Sequence, residues 1–412
     1  MNKIKIGSDN FPSLRKGGFY YVDKSMFIKE ILESSGQVNL ITRPRRFGKS
    51  LNMSMLKAYL EIGADPGIFK GLAIEGEKEI HDKHFGKHPV LHMSLAGING
   101  ENFNDCIKDL AHVLSGASLN LLLTLDSEKI DIHNKQNIEK LISSVENPDL
   151  AVLKAGLENL TSALYYYYGK EIVILIDDYD SIVTHAIGKG HEKRILEFLS
   201  GFFGNVFKGN DQVDFVVLTG RLRIANESIF SGANNLKVTS VSDSQYSSCF
   251  GLSDEDAARV LDDFGLSGSM ETFREWYDGY LIGSKRIFNI SSFLSYCGDL
   301  MSNPGQEPKY YWANSSSNDI ITYIISKSET DDMLPDLEKL LLGEAVTVDL
   351  RENICLDDFN HISTLWSILV HYGYLTPKEA GSKEYRIPNK EVRYEFLNKV
   401  VRSISQNLFY GT

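Results

Sequence analysis

The side chains here that could do chemistry together are Lys49 and Ser50, the carboxylate pair Asp177 and Asp178, and the guanidiniums of Arg43, Arg45 and Arg46. A lysine beside a small hydroxyl residue, crowded by arginines, suits a phosphate. A carboxylate far along the chain suits the divalent cation that would accompany it. Combined, these groups point to binding and hydrolysis of a nucleoside triphosphate. Lys49 would reach the β- and γ-phosphates, and Ser50 and Asp177 would hold Mg²⁺.

Such groups need elements to present them. Val38–Thr42 reads as a short buried strand, and an arginine- and glycine-containing turn follows. From Lys49 the apolar residues Leu51, Met55, Leu56, Tyr59 and Leu60 recur at helical spacing. Strand, loop and helix form the setting in which backbone N–H groups converge on an anion at a helix N-terminus. The usual spacing is G-x-x-x-x-G-K-[ST], and Arg43 stands where the first glycine is expected. The alternative for this loop alone is a solvated basic turn ahead of an ordinary helix. The second element is EIVILIDDYD, Glu171–Asp180: Ile172–Ile176 is a continuous apolar run, as in a strand covered on both faces. Its far end carries Asp177, placed to hold Mg²⁺, and Asp178, placed to polarise the attacking water. Asp178 is one methylene shorter than the glutamate usual there. The alternative is two acids capping a strand.

With both motifs in order, the chain resembles the bacterial AAA-ATPase-like family, P-loop ATPases often fused to a C-terminal PD-(D/E)XK nuclease-like domain. The resemblance rests on Tyr20–Lys24 (YYVDK), Thr42–Ser50 (TRPRRFGKS), Leu175–Asp180 (LIDDYD), Leu218–Gly220 (LTG) and Ser228–Leu236 (SIFSGANNL). It continues through Trp276–Tyr280 (WYDGY), Tyr311–Asp319 (YWANSSSND) and Ile387–Arg393 (IPNKEVR), nearly the whole chain. It makes Arg43 a family feature, and it implies ATP and Mg²⁺ as ligands. The nucleotide loop is then Arg43, Pro44, Arg45, Arg46, Phe47, Gly48, Lys49, Ser50 and Leu51. Tyr21, Asp23 and Lys24 are implied as neighbours of adenine, with packing of Tyr21 into the core as the alternative. Thr219, ending the apolar run Asp214–Gly220, is implied as the residue that senses the γ-phosphate. Two departures stand out: Asp178 for glutamate, and the basic Arg221-Leu222-Arg223. Arg221 and Arg223 could stabilise charge on a transferring phosphoryl group, in cis or from a neighbouring subunit; ordinary surface arginines are the alternative.

The 412 residues allow two or three domains. No apolar run reaches membrane-spanning length, and MNKIKIGSDNF lacks the apolar core of a signal peptide. Four scattered cysteines without a C-x-x-C pair read as reduced thiols of a cytoplasmic protein. A net charge of −12 opposes indiscriminate nucleic-acid binding. His81, His84, His88 and His92 fall close together, but Gly86 and Pro89 break a helix there and no metal site is expected.

Helices are expected over Phe103–Leu125, within Asp126–Pro148, over Leu150–Tyr168 with Gly169 as C-cap, and over Ile195–Phe207. Pro89–Leu95 is expected as a strand. Beyond Val241 come Asp254–Phe264, capped by Ser253, and Met270–Tyr277; Asn318 or Asp319 caps a helix from Ile320. Residues 334–401 resemble a winged helix, with helices at Leu334–Leu342 and Phe359–Tyr372 and a hairpin of Tyr374–Pro377 with Glu384–Ile387. A helix over Glu391–Gln406 is expected to follow, and no nuclease activity is expected of this chain. The expected fold is α/β: a mainly parallel P-loop sheet flanked by helices, then a mostly helical region with a winged part. The expected domains are 1–240 (ATPase-like), 241–333 (helical lid) and 334–412 (winged-helix-like). The expected function is a Mg²⁺-dependent ATPase that moves its C-terminal region. The alternative is a slow nucleotide-gated interaction module, contacting DNA in mobile-element or defence systems. A homo-oligomer and a protein partner on the C-terminal region complete the expectations.

Overall fold

The apolar runs form the strands they predict. In a computed structural model describing residues 3–34, 36–224, 229–230, 236–312, 333–355 and 361–399, β1 is Val38–Thr42, β2 Val90–Ser94, β3 Ile172–Asp177, β4 Val213–Gly220 and β5 Leu236–Thr239. They make one sheet in the order β2-β3-β4-β1-β5, with β3 parallel to both β2 and β4. Every residue of β3 is buried, which explains its unbroken Ile/Val/Leu composition. β5, half-exposed and short, carries no such signal.

The chain divides into two compact units. One comprises Ile28–Ile41 and Met53–Val238 and contains nearly all of the sheet. Its helices include Phe103–Thr124, Ile132–Ser143 and Glu192–Phe207. The expected single helix over Leu150–Tyr168 is instead two, Leu150–Lys154 and Gly156–Tyr168. The chain steps at Ala155, whose amide still bonds back to the Ala151 carbonyl. Gly169 closes the second helix in the left-handed conformation at φ 60°, as a C-cap does.

The histidine-rich stretch also differs from expectation, because a helix does form, Lys78–His84, ending before Gly86. Its imidazoles are engaged in packing: His81 stacks on Phe85, and His84 Nδ1 lies 3.0 Å from His88 Nε2, whose Nδ1 is 3.4 Å from Asp214. Burial pushes His92 down to about 4.

The second unit comprises Met1–Phe27, Thr42–Asn52 and Thr239–Thr412. It opens with a helix the periodicity did not predict, Phe11–Lys16, capped by Asn10 and begun with Pro12. Asp254–Asp263 starts with a full capping box between Ser253 and Asp256. With Met270–Tyr277 and Ile290–Ser302 it encloses a core of Leu252, Val260, Phe273, Tyr277, Phe288 and Phe293. A hairpin, β6 (Tyr280–Ile282) and β7 (Lys285–Ile287), joins the last two helices.

Toward the C-terminus the expected hairpin is present as β9 (Thr376–Pro377) and β10 (Glu384–Arg386), with β8 (Val346–Thr347) on the other side of β10, all antiparallel. Helices occupy Leu334–Leu342, Ile362–His371 and 390–399. The cap at Asn318 or Asp319, the helix from Ile320, most of YWANSSSND and SIFSGANNL, residues 359–360 and the end of Glu391–Gln406 lie outside the described residues. Among the described residues, no helix is long and apolar enough to cross a membrane. Cys106, Cys249 and Cys297 are buried, and Cys355 is half-buried.

Candidate functional site

The phosphate-loop sequence follows β1 and leads into the helix Lys49–Leu60, whose first turn closes with Asn52 N–H donating to the Gly48 carbonyl at 3.0 Å. The left-handed residues of the loop are Arg46 (φ 62°) and Gly48 (φ 88°). Position 43 is not among them, so it needs no glycine. Arg43 is instead fully buried. Its Nη1 donates to the carbonyls of Thr42 at 2.9 Å and Ser240 at 2.6 Å, and its Nη2 to Gln245 at 2.9 Å. The guanidinium has carbonyls around it and the Phe250 ring 5.5 Å away, and burial pulls its pKa down to about 10. The place of Arg43 in the sequence predicts one of three cations around an anion. Its side chain is in fact spent on fixing the start of the loop.

Lys49 Nζ donates to the Arg43 and Pro44 carbonyls, each at 3.1 Å. The ammonium thereby ties the loop's end to its start. Phosphate oxygens are stronger acceptors for a cation than amide carbonyls, so the same group can turn from the loop to a ligand. The other loop residues are anchored too: Asn289 donates to the Arg45 carbonyl at 3.3 Å, Arg46 Nη1 to the Tyr311 carbonyl, and Gly251 N–H to the Phe47 carbonyl at 3.0 Å. In the same unit, Asp23 accepts the Ser25 amide at 2.8 Å, Tyr21 packs edge-on against Phe11 at 5.2 Å, and Lys24 pairs with Asp256 at 2.5 Å.

The acidic residues belong to the other unit. Asp177, 3 % exposed at the end of β3, accepts a hydrogen bond from the Thr219 hydroxyl at the end of β4. Asp178 sits in the left-handed region at φ 49°, and its Oδ1 is buried with no hydrogen-bond partner among the described residues. Aspartate is one of the few non-glycine residues that adopt that region readily.

A profile of the family described as predicted AAA-ATPase matches residues 5–230, more than half of the chain. The chain belongs to the AAA-ATPase-like family. A relative of this AAA-ATPase-like chain is an uncharacterised protein in the vnfD 5′ region of Azotobacter chroococcum mcd 1. It is 27 % identical over 401 residues, covering 95 % of this chain and 68 % of that protein. Among solved structures, the Walker-type ATPase PABY2304 of Pyrococcus abyssi aligns over 92 % of this chain and 96 % of its own, at 13 % identity and TM-score 0.45. The ORC2 protein of Aeropyrum pernix, solved in ADPNP–ADP complexes, aligns over 92 % and 93 % at 11 % identity and TM-score 0.30. Those two likenesses are too slight to bear on the site.

Within the AAA-ATPase-like chain, Tyr179 and Asp180 do work that the sequence reading missed. Asp180, fully buried, accepts the Arg221 and Leu222 amides at 3.0 and 2.9 Å, while Tyr179 Oη donates to the Leu222 carbonyl and accepts from the Ile224 amide. Burial pushes the Asp180 carboxyl up, against the pull of Arg221. The loop after β4 is thus welded to the end of β3, and Arg221, only 4 % exposed, is no ordinary surface arginine. The available signal was two polar residues directly after an acid pair, which motif matching does not weigh. Gly220 is required by this weld: a Cβ there would lie 2.7 Å from Asp180 Oδ1 and 2.8 Å from the Tyr179 ring. Gly220→Ala is expected to destabilise by about 1–3 kcal/mol through overpacking. Gly204→Ala, in an open helical position, gains helix propensity instead. Thermal midpoints of the two variants check the contrast.

Mg²⁺ usually takes one or two carboxylates together with phosphate oxygens and water. The carboxylates of Asp177 and Asp178 are of that donor type. Among the described residues no cluster of three His, Cys, Asp or Glu side chains could hold a metal alone.

Proposed function

We propose that this chain binds ATP with Mg²⁺ on the loop Arg43–Leu51 and hydrolyses it. The observation that supports this reading best is the strand order: β4, bearing Thr219, stands between β1, which feeds the loop, and β3, which ends in the acids. Ligands of open α/β sheets bind beyond the carboxyl ends of such strands. In this reading Lys49 holds the outer phosphates, and Ser50 and Asp177 would hold Mg²⁺, which would supply positive charge to the phosphoryl group being transferred. Asp178 aims the attacking water, Thr219 orients Asp177, and Arg221 and Arg223 meet charge developing on the γ-phosphate. Arg43 serves the loop from within. Adenine is placed near Tyr21 and Asp23 on the family resemblance alone.

The division into an ATPase-like part (1–240), a helical lid (241–333) and a winged-helix-like part (334–412), with nucleotide state moving the last two, belongs to the same proposal. A titration of the purified chain with labelled ATP, with and without Mg²⁺, tests it. Saturable binding tightened by Mg²⁺ is expected, and its absence at millimolar ATP removes the assignment.

A second reading, a nucleotide-gated module with slow turnover, is favoured by the short Asp178 side chain. For DNA contact the C-terminal cations offer little support. Lys378, Lys383, Lys390 and Lys399 are engaged with Glu384, Asp349, Glu275 and Glu395.

A further inference from the structure

Two motifs far from the phosphate loop meet at Arg46, and the proposed reaction leaves both unused. The guanidinium of Arg46 donates to the Tyr311 carbonyl. The amides at this same point of the chain are gripped by one carboxylate: Glu391 Oε1 accepts from Tyr311 N at 2.7 Å and from Trp312 N at 2.9 Å. Glu391 is 1 % exposed and opens the helical run that follows Asn389. Asn389 in turn accepts the Val392 amide and donates to the Asp278 carbonyl at 2.7 Å. The YW and IPNKEVR motifs therefore meet at one peptide, with WYDGY tied to the second of them through Asn389, and that peptide accepts from Arg46 of the phosphate loop.

Arg46 is a left-handed non-glycine residue, a conformation that persists only where its surroundings impose it. The brace through Tyr311 supplies that imposition. Burial pushes the Glu391 carboxyl up to about 7, against the opposing pull of the Trp312 amide, the Ser292 hydroxyl, the Tyr311 amide and the charge of Arg46. The peptide that accepts from Arg46 is also the one Glu391 grips, so loss of the carboxylate loosens the hold on Arg46.

We propose that Glu391 is a positioning residue of the nucleotide site, acting through the Tyr311 peptide on Arg46 and so on the shape of the phosphate loop. The inference rests on the nucleotide reading of Lys49 given above. It assigns a role in phosphate binding to a residue outside the 5–230 segment that matches the family.

The test compares wild type, Glu391→Gln, Arg46→Gln and the double variant in ATP-dependent phosphate release. Loss of one charge-assisted contact should raise half-saturating ATP about tenfold in each single variant. In Glu391→Gln, turnover at saturation should stay within about threefold, because the brace acts alike in ground and transition states. The double variant should be no worse than the worse single one, since both act through one brace. A purely structural role would instead lower turnover and affinity together with the thermal midpoint.

A second readout needs no nucleotide: trypsin cleavage between positions 46 and 47, followed by mass spectrometry, should be slow in wild type and at least about tenfold faster in Glu391→Gln. An unchanged half-saturation in Glu391→Gln, additive effects in the double variant, or an unchanged cleavage rate overturns the proposal. Should Glu391→Gln not fold, Arg46→Lys decides in its place. Faster cleavage after position 46 with raised half-saturation supports the brace, and wild-type values for both overturn it. Wild-type protein that takes up no ATP overturns the Lys49 reading, and the tryptic comparison then decides the brace alone.

Discussion

Lys49→Ala is expected to abolish nucleotide uptake. The ammonium is 7 % exposed and bonded to two loop carbonyls, so alanine removes both the cation that would meet the phosphates and the tie that closes the loop. Hydrogen bonds to charged groups are worth about 1.5–3 kcal/mol each. Losing two of them to a triphosphate weakens binding by about 10²-fold or more. Equilibrium binding of labelled ATP in the presence of Mg²⁺ measures this directly. Affinity within threefold of wild type would take the phosphate away from Lys49. Thermal unfolding without nucleotide, run beside it, separates loss of a ligand contact from loss of the loop.

Asp178→Asn is expected to leave ATP binding close to wild type and to lower turnover by about 10²–10³-fold, the usual worth of a positioned acid–base group. Asparagine is the informative substitution because the backbone there is left-handed, at φ 49°. Asp and Asn tolerate that region; other side chains pay about 1–2 kcal/mol in it. The exchange therefore removes the charge without disturbing the turn. The same argument gives a physical reason for aspartate where the family usually carries glutamate: the longer acid would aim water better, but the turn penalises it. In single-turnover phosphate release, Asp178→Glu should accordingly show no strong gain. A large gain would favour the slow-switch reading, in which catalytic reach has been traded away.

What the sequence made legible follows from how much of each signal is local. β3 could be read because both its faces are buried, which forces an unbroken apolar run. The helix Asp254–Asp263 could be read because Ser253 and Asp256 write its capping box within four residues. The hairpin Tyr280–Ile282 with Lys285–Ile287 could not, since three-residue strands, one with two exposed residues, are too short for alternation to register. At the site, Lys49, Ser50 and the acid pair were legible as spacing. The duty of Arg43 was not, because its acceptors Ser240 and Gln245 lie about two hundred positions away. Nor was the clamp of Tyr179 and Asp180 on the loop after β4, which exists only once β3 and β4 lie side by side.

The carbonyls around Arg43 carry one more implication. Thr239, Ser240 and Gln245 all lie beyond residue 230, where the recognised family segment stops. A fragment trimmed to that segment would keep every letter of TRPRRFGKS, yet its arginine would be stranded among vanished acceptors. The phosphate loop of this protein is therefore no portable cassette. Transplanting it, or swapping the tail behind it, means moving both pieces at once.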